Sequence, residues 1–207
     1  MTYSTLVVGS LGALRAGLDD QLLGEIGAGA DVVVIPTAAA FTGAAEAALA
    51  VAEALEGTGA RVEALMVTDR ASAEEPHFVE RLGQADLVVL CDGSPLHART
   101  VWRATPVGEA LPGVRRLVAV GSVASVLGVV MIDPRGGAPT TGLGYRPGLV
   151  ICVGEGEDQL TRTRSLLAAD ETLVVLGPSG VLACDGTAWH VIVDDVEVTR
   201  GHQRVVL

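Results

Sequence analysis

The sequence of 207 residues contains no lysine, and all 14 of its basic residues are arginines. The absence of lysine excludes a Schiff-base enzyme, a pyridoxal phosphate attachment and the phosphate loop of a Walker-type nucleotide-binding protein. Acidic residues number 25, which gives a net charge of -11. Because phosphate groups are bound by basic surfaces, we expect neither nucleic acid nor a membrane among the partners.

Cysteines and aromatic residues are also scarce. The three cysteines, Cys91, Cys152 and Cys184, form no C-x-x-C pair, which argues against a disulfide framework or a zinc knuckle. One uncharged stretch, residues 117–132, is shorter than the roughly 20 residues of a membrane-spanning helix. The first residues lead into a strand-like run with no basic signal region. We therefore expect a cytoplasmic protein that uses no metal and no cofactor.

Short apolar runs alternate with longer amphipathic segments. The continuous Val and Leu content of the runs predicts β-strands that are buried on both faces, as in a parallel sheet. These strands are expected over residues 5–9, 31–36, 62–67, 86–91 and 117–120. Apolar residues at helical spacing predict helices over 18–28, 41–56 and 74–84. This alternation favours right-handed crossovers and a doubly wound sheet.

The pattern changes after residue 148. The sequence predicts a strand over 149–153, a helix over 158–169, and then short strands over 173–176, 181–184, 189–193 and 196–199, joined by turns rich in Gly and Asp. We therefore expect one α/β domain over residues 1–207, with three layers and a mostly parallel doubly wound sheet that carries an antiparallel C-terminal extension.

Several segments resemble, in order along nearly the whole chain, the motifs of one family. Residues 35–39 (IPTAA) are similar to an I-P-T-A-S segment, residues 91–95 (CDGSP) stand in place of an F-x-G-G-D-Q loop, and residues 142–148 (GLGYRPG) resemble G-L-G-L-x-P-G. These motifs are those of the cyanophycinases and the related aspartyl dipeptidases, which are serine peptidases. The resemblance implies a fold like that of the class I glutamine amidotransferases.

The resemblance also implies where the catalytic residues would lie. The nucleophile elbow, G-x-S-A-G-A in the family, falls at residues 121–126 and puts Val123 at the nucleophile position. The family's histidine falls at Gly154, and its acidic segment falls near Pro178. We therefore expect all three catalytic positions to be lost. The candidate ligand-binding residues that remain are Asp92, Gly93, Ser94, Gly121 and Ser122.

Two functions fit these observations. In the first, the protein is a non-catalytic relative that binds a small molecule, a peptide or a protein partner. In the second, it is an active hydrolase or amide-processing enzyme that uses Ser122 or a cysteine such as Cys91 with His97 as the base, helped by backbone N–H groups of the Asp92 loop. The structural interpretation makes Ser122 a helix cap, His97 a surface or capping residue and Cys91 a buried thiol. The resemblance implies a homodimer, and a mixed oligomer with an active paralogue is the alternative.

Overall fold

The structure is a computed structural model that describes residues 3–19, 26–201 and 203–207. In these ranges the α-helices are Leu11–Asp19 (α1), Ala44–Ala54 (α2), Arg70–Ala73 (α3), Pro76–Gln84 (α4), Pro95–Trp102 (α5), Pro106–Ala110 (α6) and Glu157–Leu166 (α7). The strands are Thr5–Val8 (β1), Asp31–Ile35 (β2), Arg61–Ala64 (β3), Leu87–Leu90 (β4), Leu117–Val120 (β5), Val130–Ile132 (β6), Pro139–Thr141 (β7), Val150–Val153 (β8), Thr172–Leu176 (β9), Val181–Cys184 (β10), Trp189–Val193 (β11), Val196–Arg200 (β12) and Gln203–Arg204 (β13).

The main sheet has seven strands in the order β11-β10-β1-β5-β4-β2-β3. Strands β1, β5, β4, β2 and β3 run parallel, while β10 is antiparallel to β1, and β11 to β10. The mostly parallel α/β fold predicted from the sequence is thereby confirmed. Strand β3 differs from the prediction because it is an edge strand, and no side chain of it is fully buried.

The two faces of the main sheet are covered by different helices, which gives three layers. Val32 and Val34 of β2 pack in the core formed with α1 and α2. Their neighbours Val33 and Ile35 point to the opposite face and pack with α4, α5 and α6. Since successive side chains of a strand point to opposite faces, an unbroken apolar run is what a sheet with two covered faces requires.

The C-terminal strands divide between two sheets, and only some of them form the predicted antiparallel extension of the main sheet. Strands β10 and β11 extend the main sheet, whereas β12 and β13 join the parallel pair β9 and β8 in a four-stranded second sheet of order β13-β12-β9-β8. Strands β6 and β7 form a separate hairpin. The sequence predicted β8 to β12 as strands but not β6 and β7, and it did not show which strands pair with which, because pairing depends on how the turns direct the chain.

The helix predicted over 18–28 is largely misplaced, and the next two helices begin later than predicted. Helix α1 spans Leu11–Asp19 and so shares only residues 18–19 with the prediction; residues 20–25 lie outside the described part of the chain, and residues 26–28 are not helical. The helix expected over 41–56 begins after Gly43, whose left-handed backbone (φ +119°) precedes α2. The helix expected over 74–84 begins at Pro76, since proline suits the first helical position. In the described ranges, no helix has the length and apolar character needed to cross a membrane.

Candidate functional site

The loops that follow β4 and β5 lie side by side, because these two strands are parallel neighbours in the main sheet. Ligands of open parallel sheets bind outside the carboxyl ends of the strands. The loop after β4 contains Asp92, Gly93 and Ser94, and the loop after β5 begins at Gly121. The main sheet therefore brings the sequence-predicted ligand residues together at one edge.

Gly121 is the apex of a sharp turn from strand to helix. The chain leaves β5 at Val120, passes through Gly121 with φ +67°, and continues as the 3-10 helix Gly121–Leu127. In a nucleophile elbow the attacking residue occupies such a strained strand-to-helix turn. Here the residue at the apex has no side chain, and a Cβ added to it would overlap the carboxyl group of Asp92.

The Asp92 carboxylate is held by backbone N–H groups from both loops. Its Oδ1 accepts a hydrogen bond from the N–H of Ser122 at 2.8 Å and another from the N–H of Gly93 at 2.7 Å. Backbone N–H groups placed in this way form the oxyanion hole of acyl-transfer enzymes, in which one donor belongs to the residue after the nucleophile. In this chain the carboxylate of Asp92 accepts the hydrogen bonds from these N–H groups.

The side chains of Val123 and Ser122 do not take the positions that the sequence predicted for them. Val123 is fully buried in the hydrophobic core, two residues beyond the left-handed residue Gly121. Ser122 does not cap the helix as expected. Its hydroxyl donates to the carbonyl oxygen of Val153, at the end of β8, at 3.3 Å. The side chain of Ser94 does cap a helix, since it accepts the backbone N–H of His97 in α5.

A cavity of about 630 Å³ lies next to this turn, at the carboxyl ends of β1, β8 and β9. Gly154 and Pro178, which the resemblance assigned to the histidine and the acid, both line it. Gly154 has φ +80° and open space where a side chain would begin. Val153 also lines the cavity, so its bond to Ser122 connects the cavity with the Asp92 turn. The structure thus brings two of the three expected positions together, and Val123 does not line the cavity.

The residues of the alternative catalytic group are engaged elsewhere. The Nε2 atom of His97 is 2.8 Å from the carbonyl oxygen of Thr68, and its ring packs against Phe41. Cys91 is 2% exposed, and burial raises the pKa of its thiol to about 12, which keeps it protonated. In the described part of the chain, no hydrogen bond joins His97 to Ser122 or Cys91. A nucleophile and a base are therefore not paired in this arrangement.

Glu155 is a candidate functional residue that sequence reasoning missed. It lines the cavity, and its Oε2 atom is buried without a hydrogen-bond partner. Burial raises the pKa of this carboxyl to about 7. The sequence shows Glu155 only as the first of several acids at a helix start, where carboxylates usually favour the helix dipole. Within the described residues, no group of three His, Cys, Asp or Glu side chains is placed to hold a metal ion.

The comparisons with known proteins show which class of protein shares this fold. The chain matches a crystal structure of a peptidase from an acI-B1 Actinobacterium with a TM-score of 0.76 and 20% identity, covering 100% of this chain and 95% of that one. It also matches a Listeria monocytogenes EGD-e protein that carries a provisional peptidase E assignment, with a TM-score of 0.70 and 13% identity, covering 93% and 98%. No protein-family model and no curated protein matches the sequence. The chain therefore has a peptidase-like fold.

Proposed function

We propose that this protein is a non-catalytic relative of the peptidases whose fold it shares, and that it binds a small ligand at the carboxyl ends of its strands. The observation that carries the proposal is the turn after β5. Its apex is Gly121, and the space where a nucleophile's side chain would begin is filled by the carboxylate of Asp92. We accordingly place the nucleophile-equivalent position at Gly121 rather than at Val123.

Three further features support the loss of catalysis. A hydroxyl attacks an amide only with a proton acceptor beside it and with donors for the developing oxyanion. The hydroxyl of Ser122 donates to a backbone carbonyl rather than to a base. The position expected for the histidine is Gly154, which offers no base. Finally, a negative oxygen of Asp92 already accepts the two backbone N–H groups that would otherwise stabilise the oxyanion.

The retained pair of N–H donors is also the observation that favours the second candidate, an active hydrolase or amide-processing enzyme. That function requires Asp92 to swing away from Ser122 and Gly93, and a base to come within hydrogen-bond distance of the Ser122 hydroxyl. His97, the base that this function would use, must then give up its contact with the carbonyl oxygen of Thr68. These requirements make it the weaker of the two candidates.

The two candidates are separated by testing for a reactive serine. The purified protein would be incubated with a fluorophosphonate probe, β-aspartyl dipeptides and cyanophycin, alongside the Ser122→Ala variant. We expect no labelling and no turnover by either protein. Labelling or turnover that disappears in the Ser122→Ala variant would refute the proposal and support the active enzyme.

The oligomeric state belongs to the same proposal. We propose a homodimer, as the family resemblance implies, with a mixed oligomer in which this chain accompanies an active paralogue as the alternative. Isolation of the tagged chain from its native host would recover a second copy of the chain in the first case and a paralogous peptidase in the second. Recovery of a monomer would contradict both.

A further inference from the structure

Strand β3 is an open edge of the main sheet. It pairs with β2 on one side, and within the described ranges no strand pairs with it on the other side. Three of its four residues are exposed, and the fourth, Val62, is half-buried. An edge strand presents unpaired N–H and C=O groups, which are a template for pairing with another chain. The edge at β3 therefore has the backbone groups needed to accept one more strand.

The free backbone groups of β3 belong to every second residue. Arg61 and Leu65 each donate their N–H to a carbonyl oxygen of the neighbouring segment, residues 30–35. Alternate residues of a strand in a parallel pair direct their N–H and C=O groups to opposite sides. The groups of Val62 and Ala64 consequently face the open edge, and a further strand must bond through these two residues.

The charged side chains of β3 lie on one face of the sheet. Arg61 pairs with Asp31 at 3.1 Å, and Glu63 pairs with Arg81 of α4. The side chains of Arg61 and Glu63 nevertheless stay 66% and 51% exposed. Charges usually keep an edge strand from pairing, unless the second strand presents the opposite signs at the facing positions.

The other face of the same edge is apolar. Val62 and Ala64 line a groove of about 220 Å³ together with Leu49 of α2 and Met66. Leu49 is 59% exposed and Met66 is 41% exposed. Apolar side chains that lie side by side at the surface are stabilised when a second apolar surface covers them.

The charges select one register for pairing β3 with β3 of a second copy in antiparallel fashion. If Val62 faces Ala64 of the other copy, Glu63 faces Glu63, and like charges directly opposite are destabilising. Centring the pair on Ala64 places Glu63 opposite Leu65 and forms no ion pair. If Val62 faces Val62, then Arg61 of each copy faces Glu63 of the other, and the two-fold axis makes this ion pair twice. The strand is therefore self-complementary in one register.

We propose that two copies of this chain pair through β3 in the register that places Val62 opposite Val62, which supplies an interface for the homodimer proposed above and rests on that proposal. The pairing joins the two seven-stranded sheets into one continuous sheet. The two-fold axis is perpendicular to the sheet, so each face of one copy continues into the same face of the other. Helix α2 of one copy then approaches α2 of the other, which covers the exposed side chain of Leu49.

The test is sedimentation velocity of the wild type and of two charge variants, Arg61→Glu and Glu63→Arg. Each variant alone places like charges opposite one another at both facing positions, so the Kd of the dimer should rise at least about tenfold. An equimolar mixture of the two variants restores opposite charges at both positions, and we expect it to dimerise with nearly wild-type affinity. Arg135→Glu is the matched control, because Arg135 is an exposed arginine paired with Asp133 beside β6, and its loss should leave the Kd unchanged.

Hydrogen exchange of the wild type, followed by NMR, keeps the inference falsifiable even if the variants do not fold. The amide hydrogens of Val62 and Ala64 should exchange more slowly as the protein concentration rises through the Kd of the dimer. Those of β11, at the opposite edge of the main sheet, should not respond. Unchanged exchange at Val62 and Ala64 in a dimer would overturn this interface.

The same measurements separate the interface from the homodimer itself. A dimer whose Kd neither single variant changes, or a mixture of folded variants that stays monomeric, would overturn pairing through β3 and leave a homodimer that forms through another surface. A monomeric wild type would overturn both and leave the edge to a strand of a different protein. Labelling by the fluorophosphonate probe would instead overturn the proposed absence of catalysis and leave the interface intact.

Discussion

The substitution Gly121→Ala tests whether the Asp92 carboxylate fills the apex of the turn after β5. The new Cβ meets two obstacles. A non-glycine residue at φ +67° costs about 1–3 kcal/mol in backbone strain. The Cβ would also overlap the carboxyl group of Asp92, which must swing away and give up its hydrogen bonds from the N–H groups of Ser122 and Gly93.

The cost of displacing the Asp92 carboxylate can be distinguished from the cost of backbone strain by comparing Gly121→Ala with a control variant that has only the strain. A hydrogen bond to a charged side chain contributes about 1.5–3 kcal/mol, and an exposed carboxylate such as Asp92 keeps only the lower part of that range because water competes for it. We therefore expect Gly121→Ala to lower the free energy of unfolding by about 3 kcal/mol. The matched control is Gly57→Ala, whose φ of +91° imposes similar strain in open space, and which should cost about 1–2 kcal/mol.

The assay is urea denaturation of the wild type, both single variants, Asp92→Ala and the double variant Asp92→Ala with Gly121→Ala. In the Asp92→Ala background the cost of Gly121→Ala should fall to that of Gly57→Ala, which gives a coupling free energy of about 1–2 kcal/mol. If Gly121→Ala costs the same with and without the Asp92 carboxylate, then Asp92 does not occupy the apex, and the main support for the proposed function is lost.

Three further predictions concern buried groups. Because the pKa of Glu155 is raised from 4.5 to about 7, the folded state holds its proton more tightly than the unfolded state, so the stability of the wild type should fall as pH rises from about 5 to 7.5. The loss is up to roughly 3 kcal/mol, and urea denaturation of Glu155→Gln should show a flatter pH profile. Burial raises the pKa of both Cys91 and Cys152, so Ellman's reagent should label neither thiol at pH 8 until urea unfolds the chain. Because Cys184 is a third thiol, rapid labelling of two or three thiols in the native protein is the result that would contradict their burial. Thr37→Val should cost about 1–3 kcal/mol in urea denaturation, because it leaves the buried indole N–H of Trp102 without its acceptor at 3.1 Å, whereas a change within 0.5 kcal/mol would show that this bond contributes little.

The strands were predictable because a short run of consecutive apolar side chains indicates a segment that is buried on both faces of a sheet. The runs at 117–120, 181–184 and 189–193 match β5, β10 and β11 at both ends. Each of these segments is short, rich in Val or aliphatic neighbours, and bounded by turn residues. The helix starts were less predictable. The apolar period that predicted α2 includes residues 41–43, which precede the helix, and residues 11–17 of α1 were not recognised as helical.

The site was only partly predictable. The sequence pointed to Asp92, Gly93, Gly121 and Ser122, and the structure places them at two adjacent strand ends. The sequence did not reveal that Gly121 has the left-handed backbone conformation at the apex of the turn after β5. A glycine among other small residues can adopt either sign of φ, so its identity alone does not predict its backbone angle. The resemblance placed the apex two residues later, at Val123, which the fold instead uses as a core side chain.

Composition and hydrophobic period were enough to determine the α/β class, the parallel central strands and the absence of lysine-dependent chemistry. Both are properties of residues that lie near one another in the chain. Only the tertiary structure decided that β12 lies in a second sheet, that the carboxylate of Asp92 reaches the N–H of Ser122, and that the Oε2 atom of Glu155 is buried. These features depend on contacts between residues far apart in sequence. Burial and hydrogen bonding across such distances are set by packing, which no local pattern encodes.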